Sequence, residues 1–162
     1  MLEFIENLGR TEPPPNAASL TLDWDRRSRS RFLAELDGAA GEAGVALPHG
    51  SRRLAEGDVL RAAGGETAVV RCRPEELAVA RAADWPALAR AAWHFGNRHA
   101  AVQFDGLRLR FQPDPVLERL AAGLGLALGR ETAVFEPEAG AGGPHSHAAT
   151  RRRDGGGKPE PG

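Results

Sequence analysis

Few side chains in this sequence are equipped for chemistry: one cysteine, no tyrosine and five histidines among 162 residues. His99 closes the run Phe95-Gly96-Asn97-Arg98-His99, between a predicted helix stop and a predicted strand. A turn of that kind holds a ring on rigid elements while leaving it near the surface, which is how a ligand is presented. The same placement also suits a histidine that only satisfies hydrogen bonds. His94 falls in the last turn of the predicted helix, where an imidazolium favours the negative end of the helix dipole, so it reads as support for the turn. His145 and His147 form an H-x-H pair in a glycine-rich stretch, able to capture a divalent ion or simply to be solvated. His49 follows Pro48 in a turn and reads as surface. Cys72 alternates with Arg71 and Arg73 in an apolar run and reads as a small buried hydrophobe.

The rest of the composition excludes more than it offers. A lone cysteine rules out an internal disulfide and any zinc site needing two thiolates from one chain, and it fits a cytoplasmic setting. The sequence contains no GxSxG elbow, HExxH pair, P-loop GxxxxGK[ST], or G-x-G-x-x-G opening a helix after a strand. Hydrolysis and group transfer therefore lack visible machinery, and the chain is not expected to be an enzyme. With 21 basic and 22 acidic residues the net charge is −1, so neither nucleic acid nor a membrane surface is an expected partner. Glu3 and Glu6 stand where a signal peptide needs positive charge. The apolar run from Leu120 to Gly129 is about half a membrane span. Arg151 to Arg153 read as a solvated charge run.

The elements that position these residues are marked by punctuation. Glu12-Pro13-Pro14-Pro15-Asn16 separates a leader, 1–16, from the fold, since successive prolines remove ladder donors. From Leu20 to Cys72 short apolar runs alternate with Asp37-Gly38, Gly44, Pro48, Gly50, Gly57-Asp58 and Gly64-Gly65, which predicts small antiparallel strands over a domain at 17–74. Asp84 before Trp85-Pro86, with Trp85, Leu88, Ala92 and Phe95 at helical spacing, predicts a helix over 85–95 with Gly96 as its left-handed stop. Runs at 101–104 and 107–112 flank Asp105-Gly106, the strongest hairpin signal. Asp114-Pro115 opens a second helix carrying Val116, Leu117, Leu120, Ala121 and Leu124, stopped by Gly125. A final strand over 126–135 and a first strand over 75–83 complete a βαββαβ order, although EELAVARAA has the propensity of a helix. The expected fold is α+β: a small N-terminal antiparallel β domain, a ferredoxin-like domain at 75–138, and a tail at 139–162 too poor in apolar residues to order.

Several of these pieces together resemble the urease accessory nickel-chaperone family. They are Ala92-Trp93-His94-Phe95-Gly96-Asn97-Arg98-His99, Val102-Gln103, Leu107-Arg108, Asp114-x-Val116-Leu117, and Phe135-Glu136-Pro137-Glu138 with Gly140-Ala141 and a terminal histidine pair. Upstream, Arg26-Arg27-x-Arg29-Ser30-Arg31, Val45-x-Leu47-Pro48-x-Gly50 and Leu54-x-x-Gly57-Asp58-Val59-Leu60 look like the family's first domain. The resemblance implies a cytoplasmic homodimer with a first domain similar to a chaperone peptide-binding domain, followed by a metal-binding domain. It places the metal histidine on His99, with Gly96, Asn97, Arg98 and His94 as the supporting turn, and further metal histidines at His145 and His147. Two copies of His99 meeting across a two-fold axis would clamp Ni(II), and the tail imidazoles would complete the coordination. The partners implied are urease apoprotein or other urease accessory proteins.

By the Irving–Williams order Zn(II) or Cu(II) is expected to compete for imidazole nitrogen. Gln112, Pro113 and Pro115 stand where some relatives carry histidine, so extra internal sites are not expected, and two tail histidines do not suit bulk storage. The rival readings are a non-catalytic adaptor that docks partners through the first domain, and a small acylphosphatase-like enzyme with Asn97 and Arg98 holding an acyl phosphate.

Overall fold

Phe4, Leu20, Leu22, Val45, Leu60 and Val70 are buried, and they draw six short strands around one core. The computed structural model describes residues 1–38 and 41–138. Its first domain comprises β1 (Glu3–Arg10), β2 (Ala18–Leu22), a single-turn helix α1 (Trp24–Arg27), β3 (Arg31–Glu35), β4 (Glu42–Ala46), β5 (Asp58–Ala62) and β6 (Thr67–Cys72). The sheet order is β2-β6-β5-β1-β4-β3.

Two features of this sheet depart from the sequence-based expectation. Residues 3–10 were expected in a leader preceding the fold, yet β1 lies between β5 and β4 with Phe4 wholly buried. The proline run is only the connection to β2: the Ala17 N–H donates to the Pro14 carbonyl at 2.9 Å in a turn that needs no ladder donor. The sheet is also mixed, because β1 pairs with β4 and β2 with β6 in parallel. Glycine and proline punctuation marks where strands end and carries no information about which edge they join.

The second domain runs β7 (Pro74–Arg81), α2 (Trp85–Gly96), β8 (Gln103–Asp105), β9 (Arg108–Phe111), α3 (Pro115–Gly123) and β10 (Ala127–Val134). Its sheet order is β10-β7-β9-β8 with every neighbouring pair antiparallel, which is the ferredoxin-like arrangement. Helix propensity lost at β7 because the strand is central and buried on both sides. Ala78 and Ala80 belong to the core shared with the helices, while Leu77 and Val79, which alternate to the opposite face, are buried as well.

Both helices start as their sequences dictate. The Asp84 carboxylate accepts the Ala87 N–H at 2.8 Å, and Asp114 accepts those of Val116 and Leu117. Phe95 of α2 meets Phe111 of β9 edge-to-face, ring centroids 5.0 Å apart. Of the apolar stripe predicted on α2, Leu88 and Phe95 are buried, Ala92 is half-buried with its neighbour Ala91 taking the buried position, and Trp85 is exposed. No helix among the described residues is long and apolar enough to cross a membrane. The tail expected at 139–162, with His145 and His147, lies outside the described residues.

Candidate metal centre

The end of α2 is built to hold one residue in an uncommon conformation. The helix runs through Gly96, Asn97 stays right-handed, and the left-handed position falls on His99, φ +52°. Gly96 is therefore not the left-handed stop expected of it. His99 is the only non-glycine residue with positive φ among the described residues, a conformation that asparagine, aspartate and histidine enter more readily than most. Two bonds fix it. The His99 N–H donates to the Gly96 carbonyl at 2.9 Å, and the Ala100 N–H to the Phe95 carbonyl at 3.2 Å, the paired closure of a Schellman motif.

Beneath this corner Phe95 is wholly buried, so the backbone that bears His99 is anchored in the core. His99 itself is exposed. Around it, the Arg98 guanidinium donates back to the His94 carbonyl at 3.3 Å, and the half-buried His94 ring stands edge-on to Trp93 at 4.8 Å. Gly96 and Asn97 are exposed in the same corner. The structure thus brings His94, Gly96, Asn97, Arg98 and His99 together as one turn. Among the described residues, no group of three His, Cys, Asp or Glu side chains is placed to hold an ion, at this corner or elsewhere.

Two other candidates are answered by their surroundings. Cys72, expected to be buried, is half-buried at the end of β6, and its Sγ lies 3.8 Å from Glu136 Oε1. Burial pushes the Cys72 thiol up to about 11, Arg27 opposing and the Glu136 and Glu56 carboxylates adding to the rise, so at neutral pH the side chain is a thiol and not an activated thiolate nucleophile. An acyl-phosphate site would need open N–H groups between the first strand and first helix of the βαββαβ unit. That connection is Ala82-Ala83-Asp84, and the Asp84 carboxylate already occupies the helix N-terminus.

Sequence reasoning missed two groups. Trp85 and Trp93 are 65% and 64% exposed on α2, the helix that leads into the His99 turn; their spacing was legible, but Trp85 was read as core. Arg27 is buried without any solvent exposure and bonds Glu136 at 2.7 Å across the junction of the two domains. An Arg-Arg pair on a four-residue helix gives no local signal of that.

Comparison with known proteins follows the same division. Residues 1–73 match the family described as UreE urease accessory protein, N-terminal domain, and residues 75–158 match its C-terminal domain, so the boundary falls between β6 and β7. The urease accessory protein UreE of Psychromonas ingrahamii is 37% identical over 154 residues, covering 95% of this chain and 99% of that protein. That of Alteromonas mediterranea is 40% identical over 129 residues, 80% of this chain and 82% of its own. That of Pseudomonas putida is 44% identical over 134 residues, 81% and 80%. With both halves matched in order and relatives of this similarity aligned over most of their length, the chain belongs to the UreE urease accessory protein family.

Proposed function

We propose that this protein carries Ni(II) as cargo during assembly of the urease metallocentre. In this reading it works in the cytoplasm as a homodimer, holds the ion between the His99 imidazoles of two protomers, and gains further ligands from His145 or His147. It turns over no substrate and hands the ion to urease apoprotein or to another urease accessory protein. The observation that carries the reading is the placement of His99, an exposed imidazole on a core-anchored corner, with no group of three ligand side chains around it among the described residues. Trp85 and Trp93 support the second protomer, because large aromatic surface left bare on the helix leading to His99 is the kind that an interface covers.

The chemistry follows from the donor set. Imidazole nitrogen is a good ligand for Ni(II), and a clamp of two fixed imidazoles leaves coordination positions open to additional ligands and to the acceptor. Such a site does not choose among metals by raw affinity: Cu(II) binds at least as tightly and Zn(II) competes, so selectivity falls to the delivery partners. Coordination competes with protons on imidazole nitrogen, so nickel affinity falls as the solution is acidified.

The test is nickel bound per chain, measured with solution mass, for the intact protein, for His99→Ala and for a form ending before Pro144. The expected result is a dimer with about one tight ion, lost in His99→Ala and weakened by truncation. Normal nickel binding by His99→Ala overturns the shared site. If urease activation also survives in that variant, the protein acts as an adaptor through its first domain.

A further inference from the structure

Among the edge strands of the described residues, β2 and β3 have five residues each and β8 has three, whereas β10 has eight. It pairs with β7 without a register shift and contains no proline. Short, bulged or proline-bearing edges are how sheets avoid recruiting another strand, so a long regular edge is an exception. The amides and carbonyls of β10 that alternate away from β7 have no strand partner among the described residues. Nor do the strand's charged side chains guard it. Arg130 Nη2 donates to both carboxylate oxygens of Glu118 on α3 at 2.9 Å, and Glu131 is held by Arg110 on β9. Both are drawn back over their own domain, and Ala127, Leu128 and Gly129 stay exposed.

Cross-strand register sets what lies beside this edge. Ala78, Ala80, Leu109 and Phe111 face the helices, so Val79 and Arg81 of β7 and Arg108 of β9 take the opposite face, together with Ala127, Gly129 and Glu131 of β10. Arg81 stands directly opposite Arg108, a like-charge pair with Cβ atoms about 5 Å apart, which is unfavourable unless compensated. Asp105 and Glu131 compensate Arg108. Arg81 is exposed and has no acidic partner among the described residues; its neighbour on β10 is Ala127. At Gly129 a Cβ would meet nothing within 4 Å. These small residues leave a recess of about 250 Å³ over Val79, walled by Arg81, Arg108 and Glu131. On the helix-side face of the same edge, Leu128 is exposed.

We propose that β10 is a docking edge for an extended segment of a partner protein, acidic on one face and apolar on the other. Paired along β10, such a segment bonds to the free backbone groups, its carboxylates meet Arg81 across Ala127, and its apolar side chains cover Leu128. A second copy of this chain fits less well. Two β10 strands paired antiparallel near full overlap set either the two Arg130 or the two Glu131 side chains directly opposite each other, like charge on like charge. The contact needs no metal.

The experiment uses the full chain at low ionic strength with two short, blocked, dye-labelled peptides, one alternating glutamate with valine and the other lysine with valine. Fluorescence anisotropy reads affinity, and amide hydrogen exchange places the contact. The expected result is saturable binding of the glutamate peptide, weaker binding of the lysine peptide, and slowed exchange over 127–134. Arg81→Glu should raise Kd for the glutamate peptide about fivefold and lower it for the lysine peptide by a similar factor. Equal binding of both peptides, indifferent to Arg81→Glu, would overturn the acidic partner. Absence of binding, or slowed exchange elsewhere than β10, would overturn the docking edge itself. Slowed exchange over 127–134 that grows with protein concentration and needs no peptide would assign the edge to a second copy and overturn the proposal as well.

Discussion

At the end of α3, Gly125 takes the left-handed backbone, φ +82°; at the end of α2, His99 takes it, φ +52°. The two corners occupy equivalent places in the βαββαβ unit, and their closures are the same. In α3 the Gly125 N–H reaches the Ala122 carbonyl and the Leu126 N–H the Ala121 carbonyl; in α2 the His99 N–H reaches Gly96 and the Ala100 N–H reaches Phe95. Each helix also begins with an aspartate cap and an early proline. What differs is the residue at the left-handed position and the side chain beneath the corner. The α3 corner uses glycine, which adopts positive φ freely, above the small buried Ala121. The α2 corner carries a histidine where glycine would be less strained, above a buried phenylalanine. A strained residue at one of two equivalent turns is the kind of departure that the nickel role proposed for His99 would account for.

The largest way to break this comparison is to remove what lies under the second corner. Phe95→Ala deletes a buried ring that packs on Phe111, and it is expected to lower unfolding free energy by about 3–5 kcal/mol in urea titration. Phe95→Leu, closer in volume, should cost far less. If Phe95→Ala instead costs under about 1 kcal/mol, the corner is not anchored through this ring and His99 is less rigidly presented than its backbone implies.

A smaller effect is expected at the other corner. A Cβ built on Gly125 meets nothing within 4 Å, so Gly125→Ala tests the backbone alone. It should destabilise by about 1 kcal/mol through the left-handed conformation, with nickel binding unchanged, as followed by thermal unfolding and by metal titration. An unchanged unfolding midpoint would mean that this motif tolerates side chains at its left-handed position without strain, and the histidine in α2 would then lose its significance.

The same corners show how far the sequence could be read. Caps, helix extents, hairpin and βαββαβ order were legible because each is written locally: Asp-Trp-Pro, Asp-Pro, Asp-Gly and the apolar spacing of Leu88 and Phe95. The α3 stop at Gly125 was legible for the same reason. The α2 stop was not, since Gly96 looks like a left-handed residue and His99 does not; which of them turns the chain depends on the Phe95 carbonyl accepting from Ala100, a bond that no residue type announces. The parallel partners of β1 and β2 and the burial of Arg27 against Glu136 are products of long-range packing. His99 was singled out from its place between helix and strand, but the strain that sets it apart is visible only in its φ.

The sharpest test exchanges the corner's two roles. His99→Gly gives α2 the residue that α3 already uses, so it should raise stability by about 0.5–1 kcal/mol in denaturant unfolding. His99→Ala removes the same imidazole but keeps a Cβ at positive φ, so it should leave stability close to that of the wild type. Under the proposed function both variants lose the tight nickel ion equally. That pairing separates conformation from coordination: metal binding should follow the imidazole and ignore the backbone, while stability should follow the backbone and ignore the imidazole. If His99→Gly proves less stable than wild type, the ring makes folding contacts that outweigh its strained backbone. The two corners would then differ for a packing reason, and the left-handed histidine would no longer distinguish the site.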